Sequence, residues 1–398
     1  MDARDLSSLQ KAIAEAGLDA WLFYDFRGSD PIGRHILGLG EGLATRRWYY
    51  CLPAVGEPRG LVSAVEPHSL SALPGEMRVY RSWQEHRAGL QAILAGVRTA
   101  AMQYSPENAV PYVSRVDAGT LELVRALGVA VVTAADLVQR FEATWTPEQY
   151  ASHVRAARTV RDVVDAAFAE IAGLTAAKRR CTEHDLQRFI LERFDAAGLV
   201  THHPPIVAVG PHSADPHYQP PASGSAPIDP GDFVLIDLWA KEPEGVYADI
   251  TWTGCVAESV PDAHARVFDV VRRARDSGVE AVRRGLREGE ELRGCDIDRA
   301  VRATIESAGY AERFVHRTGH SIGTEVHGNG ANIDGFETLD TRRLLAHTCF
   351  SIEPGIYLPG EFGVRSELNV YLAESEAVVT GLPVQDQVVP ILRMAGKR

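Results

Sequence analysis

Four acidic residues and one histidine in the C-terminal half of the chain are of the types that bind divalent metal ions. They are Asp237, Asp249, His320, Glu353 and Glu367. Buried carboxylates that converge on one cavity repel one another unless they share protons or bind cations, and two divalent cations balance four negative charges. Two such ions can also hold a bridging hydroxide at neutral pH, which is the nucleophile of two-metal hydrolases. The five residues therefore predict a binuclear metallohydrolase.

The segments around the acidic residues predict the strands that position them. Asp237 interrupts the apolar run 233–239, and Asp249 lies in a similar run at 246–253. Runs of this kind are typical of buried strands, and a turn at 241–245 would fold them into a hairpin with the two aspartates on facing strands.

A second pair of segments, 349–353 and 364–370, repeats this arrangement around the two glutamates. Glu353 follows Asp237 by 116 positions, and Glu367 follows Asp249 by 118 positions. The near equality predicts two structurally related halves, each giving one pair of carboxylates to a site between them.

The alternative for each carboxylate is an ordinary surface residue or a structural ion pair. The chain has 53 acidic residues and 41 lysines and arginines, so most acidic side chains are solvated or paired. A carboxylate in the middle of an apolar strand is costly to bury without a partner, however. The joint pattern of four carboxylates and a histidine favours a metal site.

Three of the 14 histidines cluster in a glycine-rich segment between the two carboxylate pairs. His316, His320 and His327 are separated by four and seven positions. Glycines let a backbone approach a ligand closely, and imidazoles can bind metal or move protons near neutral pH. A single histidine is more often structural, but the cluster favours a site. Glu325 lies beside it without a strand context and is interpreted as structural.

These segments resemble a known enzyme family. The strings Gly319-His320-Ser321-Ile322-Gly323, Ser351-Ile352-Glu353-Pro354-Gly355 and Gly363-Val364-Arg365-Ser366-Glu367 are similar to those of the Xaa-Pro peptidase group, prolidase and aminopeptidase P, of the pita-bread metallopeptidases. The resemblance covers about residues 150 to 390. It implies an α+β catalytic domain, with a curved antiparallel sheet and flanking helices in two pseudo-symmetric halves, after an α/β N-terminal domain.

The resemblance implies a role for each metal ligand. Asp237 would bind one metal ion, and His320 and Glu353 would bind the other. Asp249 and Glu367 would bridge the two ions. Glu353 would also take a proton from the attacking water and pass it on.

Further residues acquire roles from the same resemblance. His327 corresponds to the histidine that stabilises the tetrahedral oxyanion. His217 corresponds to the histidine near the leaving imide nitrogen, and its alternative is a loop histidine without a catalytic role. His316, Arg365 and Tyr218 would line the substrate pocket.

The chain departs from the usual family pattern at a few positions. The two aspartates are 12 positions apart rather than 11. Leu368 and Gly328 stand where acidic residues are frequent, and Trp252 stands where arginine is common. None of these departures removes a ligand, so they bear on substrate preference rather than on catalysis.

Composition limits the classes of function and location. The 398 residues, 45% of them hydrophobic, suffice for two domains. The net charge of −12 without a basic run argues against nucleic acid or anionic membranes as partners. Five widely spaced cysteines, without a signal-peptide core or an apolar stretch of 18 residues, indicate a cytoplasmic protein.

Local patterns predict the domain boundary. Strand-like segments at 20–24, 48–52 and 129–132 alternate with helix-like runs, which indicates an α/β domain. Thr146-Pro147 begins a helix, Thr182 to Asp185 is a capping box, and further helices are expected at about 261–284 and 294–308. We therefore predict domains at 1–145 and 146–398. Asp30 and Arg34 in the first domain have no assigned role.

The predicted function is hydrolysis of Xaa-Pro dipeptides with two divalent ions per chain, Mn²⁺, Co²⁺ or Zn²⁺. Substrates would be short proline-containing peptides, and the resemblance also implies a homodimer. Arg365 and His316 would hold the free carboxylate of proline and so favour dipeptides over tripeptides. One alternative is an Xaa-Pro aminopeptidase that acts on longer peptides. Another is a non-catalytic binding module, which the complete ligand set disfavours.

Overall fold

The computed structural model describes residues 3–40, 42 and 44–394. The chain divides into two compact units between Glu142 and Ala143, three residues before the boundary that the sequence predicts. Within the described part of the chain, no helix is both long and apolar enough to cross a membrane.

The first unit is a six-stranded mixed sheet with helices on both faces. Alternate residues of its first strand point to opposite sides, so Trp21 and Phe23 pack into one core while Leu22 and Tyr24 pack into the other. Its elements are α1 (Ala3–Glu15), β1 (Ala20–Asp25), α2 (Pro31–Ile36), β2 (Trp48–Pro53), β3 (Arg59–Ser63), β4 (Glu76–Tyr80), α3 (Trp83–Ile93), β5 (Thr99–Met102), α4 (Ala118–Ala126), β6 (Ala130–Thr133) and α5 (Ala135–Glu142).

The strand order in this sheet is β4-β3-β2-β1-β5-β6. The β1–β2 and β2–β3 pairs are antiparallel, and the other three pairs are parallel. The strands predicted at 20–24, 48–52 and 129–132 correspond to β1, β2 and β6. The α/β character expected from the alternation of segments is present.

The second unit combines long helices with three small sheets. Its longest helix begins as the sequence predicts, because Thr146 and Gln149 form a reciprocal capping box around Pro147. The elements are α6 (Pro147–Ala176), α7 (Glu183–Ala196), β7 (Ile206–Val209), β8 (Phe233–Ala240), β9 (Ala248–Cys255), α8 (Asp262–Glu288), α9 (Gly294–Ser307), β10 (Ser321–Ile322), β11 (Thr348–Ile352), β12 (Gly355–Leu358), β13 (Phe362–Arg365), β14 (Leu368–Leu372), β15 (Ala377–Thr380) and β16 (Val389–Pro390). The strand orders are β16-β9-β8-β7, β10-β11-β14-β15 and β12-β13.

The first half of this unit has one face that packs against a helix and one face that carries both aspartates, on the same hairpin. Even-numbered residues of β8 and β9, among them Ile236 and Ile250, pack against Val164 and Phe168 of α6. Odd-numbered positions include both predicted aspartate ligands. The period of two along a strand therefore separates the face that packs against α6 from the face that carries the aspartates.

The second half repeats this arrangement. Phe350 and Ile352 of β11 and Leu368 and Val370 of β14 share a core with residues of α8 and α9. Ser351 and Asn369 lie at the odd-numbered positions and pair across the two strands. Both halves thus place helices on one face of a strand pair and polar groups on the other.

Candidate metal centre

The two aspartates lie on one face of the β8–β9 hairpin. Asp237 is opposite Thr251, and Trp239 is opposite Asp249, so the two carboxylates are diagonal neighbours. Both residues are buried, with 7% and 4% of their surface exposed. The hairpin that the sequence predicts therefore brings this first pair together.

The two glutamates lie where the second pair of strands begins and ends. Glu353 directly follows β11 and Glu367 directly precedes β14, and the adjacent residues Ile352 and Leu368 are opposite each other. A turn at Pro359-Gly360 joins β12 to β13. The glutamates thus flank this inserted hairpin, whereas the aspartates lie inside their strands.

Side-chain hydrogen bonds join the two halves at the ligands themselves. The backbone N–H of Asp249 donates to Asn369 Oδ1 at 3.0 Å, and Asn369 Nδ2 donates to the carbonyl of Asp249 at 2.5 Å. Thr251 Oγ1 donates to Glu367 Oε2 at 2.8 Å. Each half therefore fixes a ligand of the other.

The orientation of His320 leaves one ring nitrogen directed at the carboxylates. Its Nδ1 lies 3.2 Å from the carbonyl of Ser321, which can only accept, so Nδ1 carries the proton. Its Nε2 lies 3.4 Å from Glu353 Oε1 and 3.5 Å from Asp249 Oδ2. A neutral imidazole with a free Nε2 lone pair is the form that binds a metal ion.

Burial makes the charged forms of these side chains unfavourable. It raises the pKa values of Asp249 and Glu367 well above their ordinary values, and the neighbouring carboxylates raise them further. Burial also raises the pKa of Glu353. The pKa of His320 is lowered well below its usual value by burial and by the charges of His327 and Arg317.

Three buried carboxylate oxygens in this cluster lack a hydrogen-bond partner among the described residues. They are Asp237 Oδ1, Asp249 Oδ1 and Glu367 Oε1. Ligand atoms of Asp249, His320 and Glu367 also lie within 4.8 Å of one another. Unpaired buried carboxylate oxygens are costly unless a cation supplies the missing interaction. The donor set, oxygen-rich with one imidazole, therefore fits divalent metal ions.

Arg365 is buried and bonds to protein groups on several sides. Its Nη2 donates to Asp237 Oδ2 at 2.5 Å and its Nε donates to Thr251 at 3.0 Å. Its Nη1 donates to the hydroxyl of Tyr357 and to the carbonyl of Pro216. These contacts are those of a residue that orients Asp237, and a contact of Arg365 with substrate stays a prediction.

Both ring nitrogens of His316 are also engaged within the protein. Nδ1 donates to the carbonyl of Arg317 at 2.7 Å, so Nε2 accepts from the hydroxyl of Tyr357 at 2.7 Å. Burial lowers the pKa of His316 to about 3, which keeps the ring neutral. Arg365, Tyr357 and His316 therefore form one hydrogen-bonded chain, and a role of His316 in holding a substrate carboxylate stays a prediction.

His327 and His217 lie near the metal-ligand cluster. The ring of His327 is edge-on to that of His320, with centroids 4.4 Å apart. Burial lowers the pKa of His327 to about 4. The side chain of His217 is exposed, and its charge contributes to the lowered pKa values of both His316 and His327. His327 thus lies beside the ligand His320, and His217 lies close enough to His316 and His327 to influence them electrostatically.

Tyr218 is anchored by Glu183 and His212. Its hydroxyl donates to Glu183 Oε2 at 2.7 Å, and its ring stacks on His212 with centroids 4.3 Å apart. Burial and the hydrogen bond to Glu183 raise its pKa. A direct contact of Tyr218 with substrate stays a prediction.

The structure shows the positions of the departures from the family pattern. Trp252 lies on the helix-facing side of β9, where Arg161 is 3.7 Å above its ring. Leu368 is part of the core, and a Cβ at Gly328 would lie 3.0 Å from Ser321 Oγ. Glu325, interpreted as structural, lies 3.6 Å from Nδ1 of His202. Trp252 and Leu368 thus serve packing.

Sequence reasoning gave no role to several residues that support the ligands. Thr251 lies two positions after Asp249, and Asn369 lies two positions after Glu367. Because alternate residues of a strand share a face, this spacing could have indicated that both side chains support the ligands. Tyr357 lies four positions after Glu353, two positions beyond the string Ser351-Ile352-Glu353-Pro354-Gly355 that carries the resemblance. Glu183 had no signal except its place in the capping box of α7.

Comparison with known proteins agrees with this geometry. The model of metallopeptidase family M24 matches residues 155–374. A probable dipeptidase PepE of Mycobacterium bovis is 33% identical over 272 residues, which are 68% of this chain and 67% of that protein. An Xaa-Pro dipeptidase of Lactobacillus delbrueckii is 31% identical over 227 residues, 55% of this chain and 58% of that protein.

A solved structure is similar over nearly the whole chain. The dipeptidase PepE of Mycobacterium ulcerans superposes with a TM-score of 0.72 at 28% identity and covers 98% of both chains. The predicted fold, an α/β domain before a pita-bread catalytic domain, is confirmed, and so is the resemblance to the pita-bread peptidases. With its carboxylates and histidine gathered between two similar half-domains, the chain belongs to metallopeptidase family M24.

Proposed function

We propose that this protein hydrolyses the Xaa-Pro bond of dipeptides with two divalent metal ions. The observation that carries the proposal is a set of three buried carboxylate oxygens without a hydrogen-bond partner among the described residues, on Asp237, Asp249 and Glu367. Ligand atoms of two of these residues, Asp249 and Glu367, lie within 4.8 Å of a ligand atom of His320. The similarity to proteins named dipeptidase and Xaa-Pro dipeptidase supports the substrate class.

Asp237 would bind one ion, and His320 and Glu353 would bind the other. Asp249 and Glu367 would each contact both ions. Oxygen ligands with one imidazole suit Mn²⁺, Co²⁺ or Zn²⁺. Bound there, the ions would polarise the scissile carbonyl. They would also lower the pKa of water, so that hydroxide is available as the nucleophile at neutral pH.

Four side chains would supply the proton transfer, the hydrogen bonds and the ligand positioning that the reaction also needs. Glu353 is the only one of the four carboxylates that is not fully buried, and its place beside His320 suits transfer of a proton from water towards the leaving nitrogen. His327 would donate to the developing oxyanion, and His217 would donate to the imide nitrogen of proline. The Arg365 guanidinium keeps Asp237 in place.

The preference for proline follows from the chemistry of the bond. A bond to proline is a tertiary amide without an N–H, so the site must recognise ring shape and supply a proton donor near the nitrogen. A dipeptide also carries a free carboxylate directly after the ring. A tripeptide would place an uncharged amide at that position.

The test measures metal content together with substrate length. Elemental analysis is expected to give two divalent ions per chain, and a chelator should abolish hydrolysis until Mn²⁺, Co²⁺ or Zn²⁺ is restored. Xaa-Pro dipeptides are expected to be cleaved much faster than Xaa-Pro-Yaa tripeptides or Xaa-Ala dipeptides. Full activity without divalent metal contradicts the mechanism, whereas faster cleavage of tripeptides identifies an Xaa-Pro aminopeptidase.

A substitution at His327 tests the oxyanion role separately. We expect His327→Ala to lower kcat by about 10²-fold, the scale for removing one donor to an oxyanion. The metal content should stay at the value of the unmodified protein. His202→Ala is the matched control, because this exposed imidazole pairs with Glu325, two positions before His327. An unchanged kcat in His327→Ala would assign His327 to structure.

A further inference from the structure

His217 lies on a long connection whose neighbouring residues are anchored on both sides. The connection joins β7 to β8, and its only regular element among the described residues is a short 3-10 turn at Gly210–Ala214. The carbonyl of Pro216, directly before His217, accepts from Arg365 Nη1 at 3.2 Å. Tyr218, directly after it, donates to Glu183 at 2.7 Å. An exposed histidine is thus held through its two neighbours.

The anchor on one side, Arg365, already belongs to the metal-ligand network. The start of the connection is fixed in the same region, because the N–H of Gly363 donates to Ser213 Oγ at 2.8 Å. A Cβ at Gly363 would lie 2.1 Å from the carbonyl of Ser213, so only glycine permits this approach. The β13 strand therefore positions the connection relative to Asp237.

The anchor on the other side is the buried carboxylate of Glu183, the first residue of α7. It is 0% exposed. One oxygen accepts from the backbone N–H of Val209 at 2.9 Å and contacts His212 Nδ1 at 2.8 Å. The other oxygen accepts from the hydroxyl of Tyr218 and from the backbone N–H of Ala226 at 3.2 Å.

These contacts exceed what a helix cap requires. An acidic residue in the first turn of a helix is favourable even when exposed to solvent, and the capping box of α7 is already made by Thr182 and Asp185. The Glu183 oxygens accept from donors at the start, the middle and the far part of the connection. A buried carboxylate with several donors gives strong and geometrically specific hydrogen bonds.

We propose that Glu183 is a positioning residue that acts through Tyr218 to hold His217 at the reacting bond. The inference rests on the proposed function, because it assumes that His217 contacts the imide nitrogen. Glu183 itself touches neither the substrate nor a metal ligand. Its effect on the reaction passes through the geometry of the connection.

Two substitutions of different severity test the proposal in the full-length, metal-loaded protein. Tyr218→Phe removes one hydrogen bond and keeps the ring, and we expect kcat for an Xaa-Pro dipeptide to fall about tenfold. Glu183→Gln keeps the volume but turns an NH₂ group towards N–H and O–H donors, and we expect a fall of about 10²-fold. Metal content should not change. The control is Glu192→Gln, an exposed residue of the same helix that pairs with Arg188.

A double-mutant cycle with His217→Ala separates positioning from a general structural effect. If Glu183 and Tyr218 act through His217, neither substitution lowers kcat further once the imidazole is gone. Multiplicative losses in the His217→Ala background, or an unchanged kcat in both single variants, overturn the proposal. An unmodified protein that is inactive on Xaa-Pro dipeptides would instead overturn the proposed function.

Amide hydrogen exchange provides a readout that does not depend on activity. Glu183→Gln is expected to speed exchange at the amides of Val209 and Ala226, which donate to this carboxylate, and across the connection between them. Glu192→Gln should leave these rates unchanged. Unaltered exchange in a folded Glu183→Gln protein would show that the carboxylate does not anchor the connection and would overturn the proposal.

Discussion

Replacing Glu367 by alanine is expected to remove bound metal and to lower kcat by at least about 10³-fold. One carboxylate oxygen accepts from Thr251, the other has no hydrogen-bond partner in the part of the chain that the structure describes, and both ions are proposed to share this carboxylate. Without it, the remaining side chains no longer balance two divalent cations. The metal ions are expected to stabilise the transition state by several kcal/mol, and the loss of that stabilisation corresponds to the expected fall in kcat.

Elemental analysis and steady-state kinetics on the same preparation test this prediction. Glu361→Gln is the control, because Glu361 is an exposed acidic residue in the neighbouring β12–β13 turn. It should keep both the metal and the rate. Two tightly bound ions and a normal kcat in Glu367→Ala would remove Glu367 from the ligand set.

The second large effect is expected at Arg342, in the segment that supports His320. Arg342 and Asp340 form a buried ion pair with atoms 2.7 Å apart, and Arg342 also donates to the carbonyls of Asn329 and Gly330. Asp340 accepts from the N–H of Asn332, whose side-chain oxygen accepts from the N–H of Ser321. Arg342→Met would leave a buried carboxylate without its cation. The expected loss is about 3–5 kcal/mol of the free energy of unfolding.

The adjacent arginine provides a matched control for this substitution. Arg343 pairs with Glu291 at the surface, and 63% of its side chain is exposed. Arg343→Met should change the free energy of unfolding by less than about 1 kcal/mol. Urea unfolding of both variants at one fixed metal concentration measures the difference, because bound metal itself shifts the midpoint. Equal midpoints for the two variants would show that the buried pair contributes little.

The positions of the two aspartates could be predicted because each one interrupts an apolar strand pattern. The two glutamates stand just outside β11 and β14, and the near-equal spacings of 116 and 118 positions indicated them. Asp237 and Asp249 follow the period of two that also directs Ile236 and Ile250 to the helix. The starts of α6 and α7 could also be predicted from the sequence, because the two residues of a capping box are only three positions apart.

The hydrogen-bond partners of the predicted site residues could not be predicted from the sequence in the same way. Arg365 is three sequence positions beyond Phe362 in a short strand, but its contacts come from Asp237, Thr251 and Pro216, which lie more than 100 positions away. Tertiary hydrogen bonds of this kind leave no local pattern. The packing of Trp252 against α6 is likewise a tertiary contact that its departure from the family pattern did not reveal.

The hydrogen bonds between the two halves have a consequence for the order of events during synthesis. Asp249 and Asn369 are 120 positions apart, and Thr251 and Glu367 are 116 positions apart. A chain leaving the ribosome presents its aspartates well before its glutamates, and at about 5–20 residues per second the interval lasts roughly 6 to 24 seconds. During that time the nascent chain carries only half a site, which cannot balance two cations. We therefore expect metal loading to wait for the completed polypeptide.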